Sequence, residues 1–259
     1  MLVFDSHMAL TILAVAAVGG VIGLDRTAFG QFMVSQPIVA APIVGWMLGD
    51  PTPGLVIGAA LELIWVLDMP VGSFVPADAT ICAVSATAIA ALGGSGSAQV
   101  PAIGASILLT TIMVPITMWA DGLVRTWNAR LFRKVEEGNG QDTEQRLVRV
   151  QYTGLAVFFL KPFLLYLVLV PAGIAALVLL TPMPDPVMRA LTLFVKLLPV
   201  LGTALVVRKL SVRVIDPFLL MGFALSLLIG QLFHAPMLWI VLLITVCGWV
   251  GVRYRESRQ

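Results

Sequence analysis

Charge is scarce in this chain: Asp, Glu, Lys and Arg make up 12% of its 259 residues, against 59% hydrophobic. A soluble domain carries about 25% charged residues, so an ordinary water-facing surface is excluded. Histidine and cysteine occur only twice each. His7 and His234 belong to no recognisable triad or metal motif, which removes the usual signatures of hydrolytic catalysis. Cys82 and Cys247 each lie inside an apolar run without ligand spacing. Both read as packed thiols, neither a disulfide framework nor a metal site. There is no GxxxxGK[ST] loop, so nucleotide binding by a P-loop is excluded. The net charge of +2 is small, and no nucleic-acid partner is expected. No catalytic residue, cofactor or metal is expected on the chain itself.

What the chain has instead is recurrent apolar sequence, with a mean hydropathy of +0.99. Segments at Met8–Leu24, Val100–Ala120, Thr153–Leu180, Val187–Val207, Ile215–Leu232 and Pro236–Val252 approach or exceed the roughly 20 residues that span a bilayer. The N-terminus has no basic region or cleavage pattern, and reads as a retained first helix. The fold expected is an all-α polytopic membrane protein with about seven to nine transmembrane helices. Lys161-Pro162, Pro171 and Pro199 predict kinked or divided helices in the second half.

A hydrophilic stretch, Asp121–Val150, reads as a solvated loop around GNGQDTEQ. It divides the chain into an N-terminal membrane half (1–120), the loop (121–150) and a C-terminal membrane half (151–259). Basic residues gather in that loop, at Arg208, Lys209 and Arg213, and at Arg253, Arg255 and Arg258. Lys and Arg accumulate on the cytoplasmic side, which places the central loop and C-terminus there. The setting expected is a membrane, with these regions on its cytoplasmic face.

The stretch Gln36–Thr80 departs from the pattern. Its apolar pieces, Pro37–Leu48 and Gly54–Leu67, are too short to cross, are broken by glycine and proline, and lie among Asp50, Glu62, Asp68 and Asp78. Irregular backbone at membrane depth requires a protein-covered or water-filled setting. Short, interrupted segments point to a transporter's binding region, so a re-entrant arrangement is expected here. Glu62, embedded in GAALELIWVL, is the leading substrate ligand, because a lone carboxylate in apolar helix marks function. Asp68 and Asp78 are further substrate-binding candidates, and Asp78 also suits the N-cap of the next helix. Asp50, in LGDPTPG, reads as a turn residue or site residue. Carboxylates can accept hydrogen bonds from the hydroxyls of a sugar.

The run PIVAAPIVGWMLGDPTPGLVIGAALELI resembles the signature of membrane subunit IIC of the mannose/fructose/sorbose-type sugar phosphotransferase systems. The matching residues are Val44-Gly45, Leu48-Gly49-Asp50, Gly54, Gly58, Glu62, Gly72 and Pro76-Ala77-Asp78. The later segments Leu197–Leu210 and Asp216–Gly230 also look like the family's. The resemblance implies a sugar-binding and translocating subunit paired with a membrane subunit IID, in complexes that assemble further. It also implies a cytoplasmic IIB that phosphorylates the sugar, and a IIA that recharges IIB. Glu62 and Asp78 are the positions carried over, with Gly49, Asp50, Gly54, Gly58 and Gly72 shaping the turns. Two other readings stay open: an ion- or proton-coupled permease using Glu62, and a non-transporting scaffold or sensor of the same fold.

Overall fold

The structure is a computed structural model, and it describes residues 5–66, 68, 76–94, 99–136, 143–180, 183–210, 221–222 and 224–225. Every regular element among them is a helix. The chain forms two compact units, 1–204 and 205–259. In the second, the described residues are the end of the last long helix and helical positions at 221–222 and 224–225.

Helix α1, Ser6–Leu24, starts at Asp5, whose carboxylate accepts the Ser6 N–H at 2.7 Å. Its glycines turn toward α7, Thr143–Leu179. A Cβ at Gly20 would lie 2.7 Å from Phe159, and one at Gly23 would lie 3.0 Å from Pro162. Small residues let helices approach closely where lipid gives no hydrophobic drive.

Helices α2 (Pro37–Met47) and α3 (Pro51–Trp65) form the expected broken pair. Proline opens each one, since the first turn needs no N–H from it. Between them Gly49 adopts φ +85°, a conformation that costs glycine little. Asp50 then caps α3 by accepting from Thr52 N–H at 2.9 Å. The chain folds back so closely that a Cβ on Gly54 would strike the Ala41 carbonyl, and one on Gly58 would lie 2.6 Å from that of Pro37. The arms hold 11 and 15 residues, about 16 and 22 Å of helix. Neither reaches across ~30 Å of hydrocarbon.

Helix α4, Ala79–Gly93, lies at the centre. Every residue from Thr80 through Ala90 is buried, as its Ala, Ser and Thr content predicts. One side packs with Val15, Val44, Tyr166 and Ile174; the other with Ile57, Leu61, Ile103 and Leu198. Thus one helix joins two apolar cores.

The expected single span Val100–Ala120 is two helices, α5 (Gln99–Ile112) and α6 (Val114–Glu136), bent by 44°. Pro115 lies at the break, where it removes an N–H and crowds the preceding turn. The hydrophilic stretch expected as a loop is helical over most of its length. Helix α6 runs on to Glu136 and α7 begins at Thr143. Its Arg, Lys, Glu and Leu residues are good helix formers, and charge content alone concealed that.

Helix α7 is continuous through Pro162 and Pro171 over 37 residues, about 55 Å. It is not divided as expected, because packing against α1 and α4 holds both proline turns; Val170 and Ile174 are fully buried. Helix α8, Asp185–Leu210, likewise continues through Pro199. Asp185 in its first turn and Arg208 and Lys209 in its last complement its dipole.

Among the described residues, α1, α7 and α8 are long and apolar enough to cross a membrane, and the bent α5–α6 pair makes a fourth candidate. The candidates Ile215–Leu232 and Pro236–Val252, with Gly72, His234 and Cys247, lie outside the described residues apart from the helical positions already noted.

Candidate functional site

The loop after α1 is organised by Asp25. Its carboxylate accepts from Phe32 N–H at 2.6 Å and Ser35 N–H at 3.0 Å, while Gln31 and Met33 take positive φ values of 55° and 66°. Partial burial acts to raise this carboxyl, but the Ser35 and Phe32 donors outweigh it and hold it below its ordinary value. The loop is then fastened to the start of α4, since Thr80 Oγ1 donates to the Ser35 carbonyl at 2.6 Å.

This fastening places Arg26 against α4. Its guanidinium donates to the Ala77 carbonyl at 3.0 Å and lies 2.8 Å from Asp78 Oδ1. The other oxygen of Asp78 receives Lys161 Nζ, from α7, at 2.9 Å. Lys161 also reaches Asp121 Oδ1, on α6, at 2.9 Å. Asp121 Oδ2 meets Arg125 Nε at 2.6 Å, one turn further along α6. The side chains of Lys161, Asp78 and Asp121 are 9%, 6% and 12% exposed. Three cations and two carboxylates therefore alternate, with Asp78, Lys161 and Asp121 enclosed at the centre and Arg26 and Arg125 reaching outward at the two ends. Asp78 also accepts the Ile81 N–H at 3.3 Å, the cap its position suggested.

Glu62 stands apart from this network. It lies near the end of α3, half-buried, and its Oε2 accepts the Ile38 N–H at 3.3 Å. Ile38 is in the first turn of α2, where N–H groups have no partner within the helix and the helix dipole favours an anion. No hydrogen bond joins Glu62 Oε1 to another group among the described residues. Asp68 follows α3, its N–H donating to the Trp65 carbonyl at 2.9 Å.

The two foremost sequence candidates are thus not bonded to each other. Both Asp78 oxygens are held by cations, while Glu62 Oε1 has no partner among the described residues. Asp50 is at the tip of the α2–α3 hairpin, where the Gln99 side-chain amide donates to its second oxygen. Gln99 opens α5, so this contact ties the hairpin tip to a second helix start.

Sequence reasoning missed Arg26, Lys161, Asp121 and Arg125 as a unit. A signal was present: Lys161 lies in the apolar run FFLKPFLLYL, and a cation there requires a counter-charge. Its partners are 83 and 40 positions away, and a linear reading does not rank such pairings.

A family model described as "PTS system sorbose-specific iic component" matches residues 8–248. Among curated proteins, the chain is 26% identical to the "PTS system mannose-specific EIIC component" of Escherichia coli (strain K12) over 206 residues, covering 74% of this chain and 71% of that one. It is 23% identical to the "Fructose permease IIC component" of Bacillus subtilis (strain 168) over 223 residues, covering 86% and 79%. The "PTS system sorbose-specific EIIC component" of Klebsiella pneumoniae is 27% identical over 201 residues, covering 74% and 71%. In fold, the chain is similar to a solved structure described as "Structure of membrane protein", with TM-score 0.72, 20% identity and 97% of each chain covered. It is also similar to a chain in the mannose transporter ManYZ–microcin E492 complex, with TM-score 0.55, 18% identity and 97% of each covered.

Proposed function

The chain belongs to the sorbose-specific IIC family of the sugar phosphotransferase systems, and on that premise we propose that Glu62 holds the sugar this permease subunit carries. The observation behind the assignment is the state of its carboxylate. One oxygen is fixed by the first turn of α2 at 3.3 Å, and the other has no partner among the described residues. A fixed, half-buried carboxylate with a spare acceptor suits a neutral ligand rich in hydroxyl donors. It lies at the base of a hairpin whose arms are too short to cross, the arrangement expected of a re-entrant binding region.

Asp68, beyond α3, lies on the connection between Glu62 and Asp78 and is assigned to the same sugar region. Asp78 is assigned to the rim, where its two cations fix the start of α4, and Asp50, Gly49, Gly54 and Gly58 shape the hairpin. No nucleophile is assigned to this chain. Phosphorylation of the sugar is assigned to a cytoplasmic IIB, recharged by IIA, and the membrane partner is a IID subunit. Similarity to a chain of the mannose transporter ManYZ complex supports a membrane complex with a partner subunit. About seven to nine helices crossing an inner membrane, with residues 121–150 and the C-terminus cytoplasmic, complete the proposal; residues 1–120 and 151–259 are its two membrane halves.

The test is equilibrium dialysis of the purified complex against radiolabelled mannose, fructose and sorbose. Saturable binding of one of them, lost in Glu62→Gln but retained in Asp50→Asn, supports the assignment. Binding unchanged in Glu62→Gln contradicts it.

A further inference from the structure

Helix α6 changes character along its length. Residues 114–120 carry no charge, whereas 122–134 contain Arg125, Arg130, Arg133 and Lys134 and no carboxylate. Trp119, Leu123, Trp127 and Arg130 cross that change on one exposed face. They are spaced by four, four and three residues, which aligns them along a helix. With Val157 of α7 they line a groove of about 580 Å³. From Trp119 to Arg130 it follows α6 for about 16 Å. Both indoles stand at its surface, Trp119 67% and Trp127 41% exposed. Three donors here have no acceptor among the described residues: the N–H groups of the two indoles and the Arg130 guanidinium. Arg125, by contrast, is paired with Asp121. The residues one turn from Arg130 on α6, namely Thr126, Trp127, Arg133 and Lys134, offer no carboxylate.

The bent α5–α6 pair is a candidate span that runs to Arg133. Lys and Arg flank spans and Trp gathers at the membrane–water boundary, so the groove lies where headgroups meet hydrocarbon. Its chemistry is ordered the same way. The cation is at one end, the indole of Trp127 comes next, and Leu123 and Trp119 continue into the uncharged arm. A Trp ring is apolar while its N–H seeks an acceptor. This order fits a molecule with one anionic group, ester carbonyls beneath it and a hydrocarbon tail. A free anion would leave the apolar wall uncovered, and a neutral acyl chain would leave Arg130 unpaired. Basic pockets between membrane helices hold anionic headgroups.

We propose that the α6–α7 groove is a binding site for an anionic phospholipid of the surrounding bilayer. The phosphate lies against Arg130, an ester carbonyl accepts from the Trp127 N–H, and an acyl chain lies along Leu123, Trp119 and Val157. The site is separate from Glu62, so its test does not depend on which sugar is carried.

The experiment uses the full-length chain with its IID subunit in vesicles of equal parts phosphatidylcholine and phosphatidylglycerol. A trace of either lipid carrying a diazirine is photoactivated, and the labelled residues are mapped by mass spectrometry. Phosphatidylglycerol should label residues 119–130 about fivefold more than phosphatidylcholine, the preference expected of one arginine at a membrane surface. Arg130→Gln should bring the two lipids to near-equal labelling, while Arg189→Gln on α8 leaves the preference intact. Equal labelling in the wild type, or a preference that survives Arg130→Gln, would overturn the proposal. So would a groove free of lipid label, the result if another polypeptide or residues 205–259 cover it. If Arg130→Gln does not fold, the wild-type labelling ratio decides. None of these outcomes bears on the assignment of Glu62.

Discussion

Lys161 lies 2.9 Å from Asp78, a residue 83 positions earlier, and the pair is almost completely enclosed. The same ammonium holds Asp121 at 2.9 Å, so one side chain of α7 fixes both the start of α4 and the middle of α6. Arg26 brings the loop after α1 into the same set. The loop after α1 and helices α4, α6 and α7 are thus joined by charge as well as by apolar packing.

Lys161→Met should therefore destabilise the protein strongly. It leaves Asp78 with one cation instead of two and Asp121 with only Arg125. Breaking a buried ion pair from one side costs about 3–5 kcal/mol. The expected result is a clear fall in the unfolding temperature of the purified protein, partly restored when Asp121→Asn is added. An unchanged unfolding temperature would show that the charges are solvated.

The hairpin makes a sharper steric prediction. Gly54→Ala puts a methyl group against the Ala41 carbonyl, and backbone yields less readily than a side chain. Overpacking of this kind costs about 1–3 kcal/mol. Gly122→Ala is the control: on α6, nothing lies within 4 Å of its added Cβ. A helix-interior Gly→Ala change there should be neutral or stabilising by up to about 1 kcal/mol. Comparing the two unfolding temperatures isolates the close approach from glycine's backbone freedom.

Asp25 predicts a pH dependence. Asp25→Ala leaves the N–H groups of Phe32 and Ser35 without their acceptor, at about 1–3 kcal/mol for each donor that water cannot reach. The folded carboxyl is held below its ordinary value of 3.8, so its contribution is fully present above that value. It is lost as pH falls through the lower, folded-state value. Wild type and Asp25→Ala should therefore differ in unfolding temperature at neutral pH and converge in acid.

Much of the first half was legible because local chemistry set its boundaries. The piece Pro37–Leu48 marked the first arm, the LGDP run marked the turn at Asp50, and Asp78 was readable as a cap from its position; the second arm was expected from Gly54 and begins at Pro51. The Ala, Ser and Thr residues of α4 account for its burial. The break at Pro115 was not read, because hydropathy is unchanged across it. The stretch 121–150 was taken for a loop on charge, whereas Asp121 and Arg125 are paired across one helical turn. The charge network escaped for a different reason: pairing Lys161 with Asp78 requires knowing that α1, α4, α6 and α7 meet. Glu62 was recognisable from its apolar setting, but its bond to Ile38 N–H depends on the fold-back of α3 onto α2.

The central claim concerns Glu62, and uptake tests it most directly. Cells expressing the chain with its IID partner would be offered radiolabelled mannose, fructose and sorbose, with and without phosphorylated IIB. Sugar phosphate should accumulate only when IIB is present, and Glu62→Gln should abolish that accumulation while the protein still folds and reaches the membrane. Undiminished sugar phosphate in Glu62→Gln, or free sugar accumulating without IIB, would contradict the account.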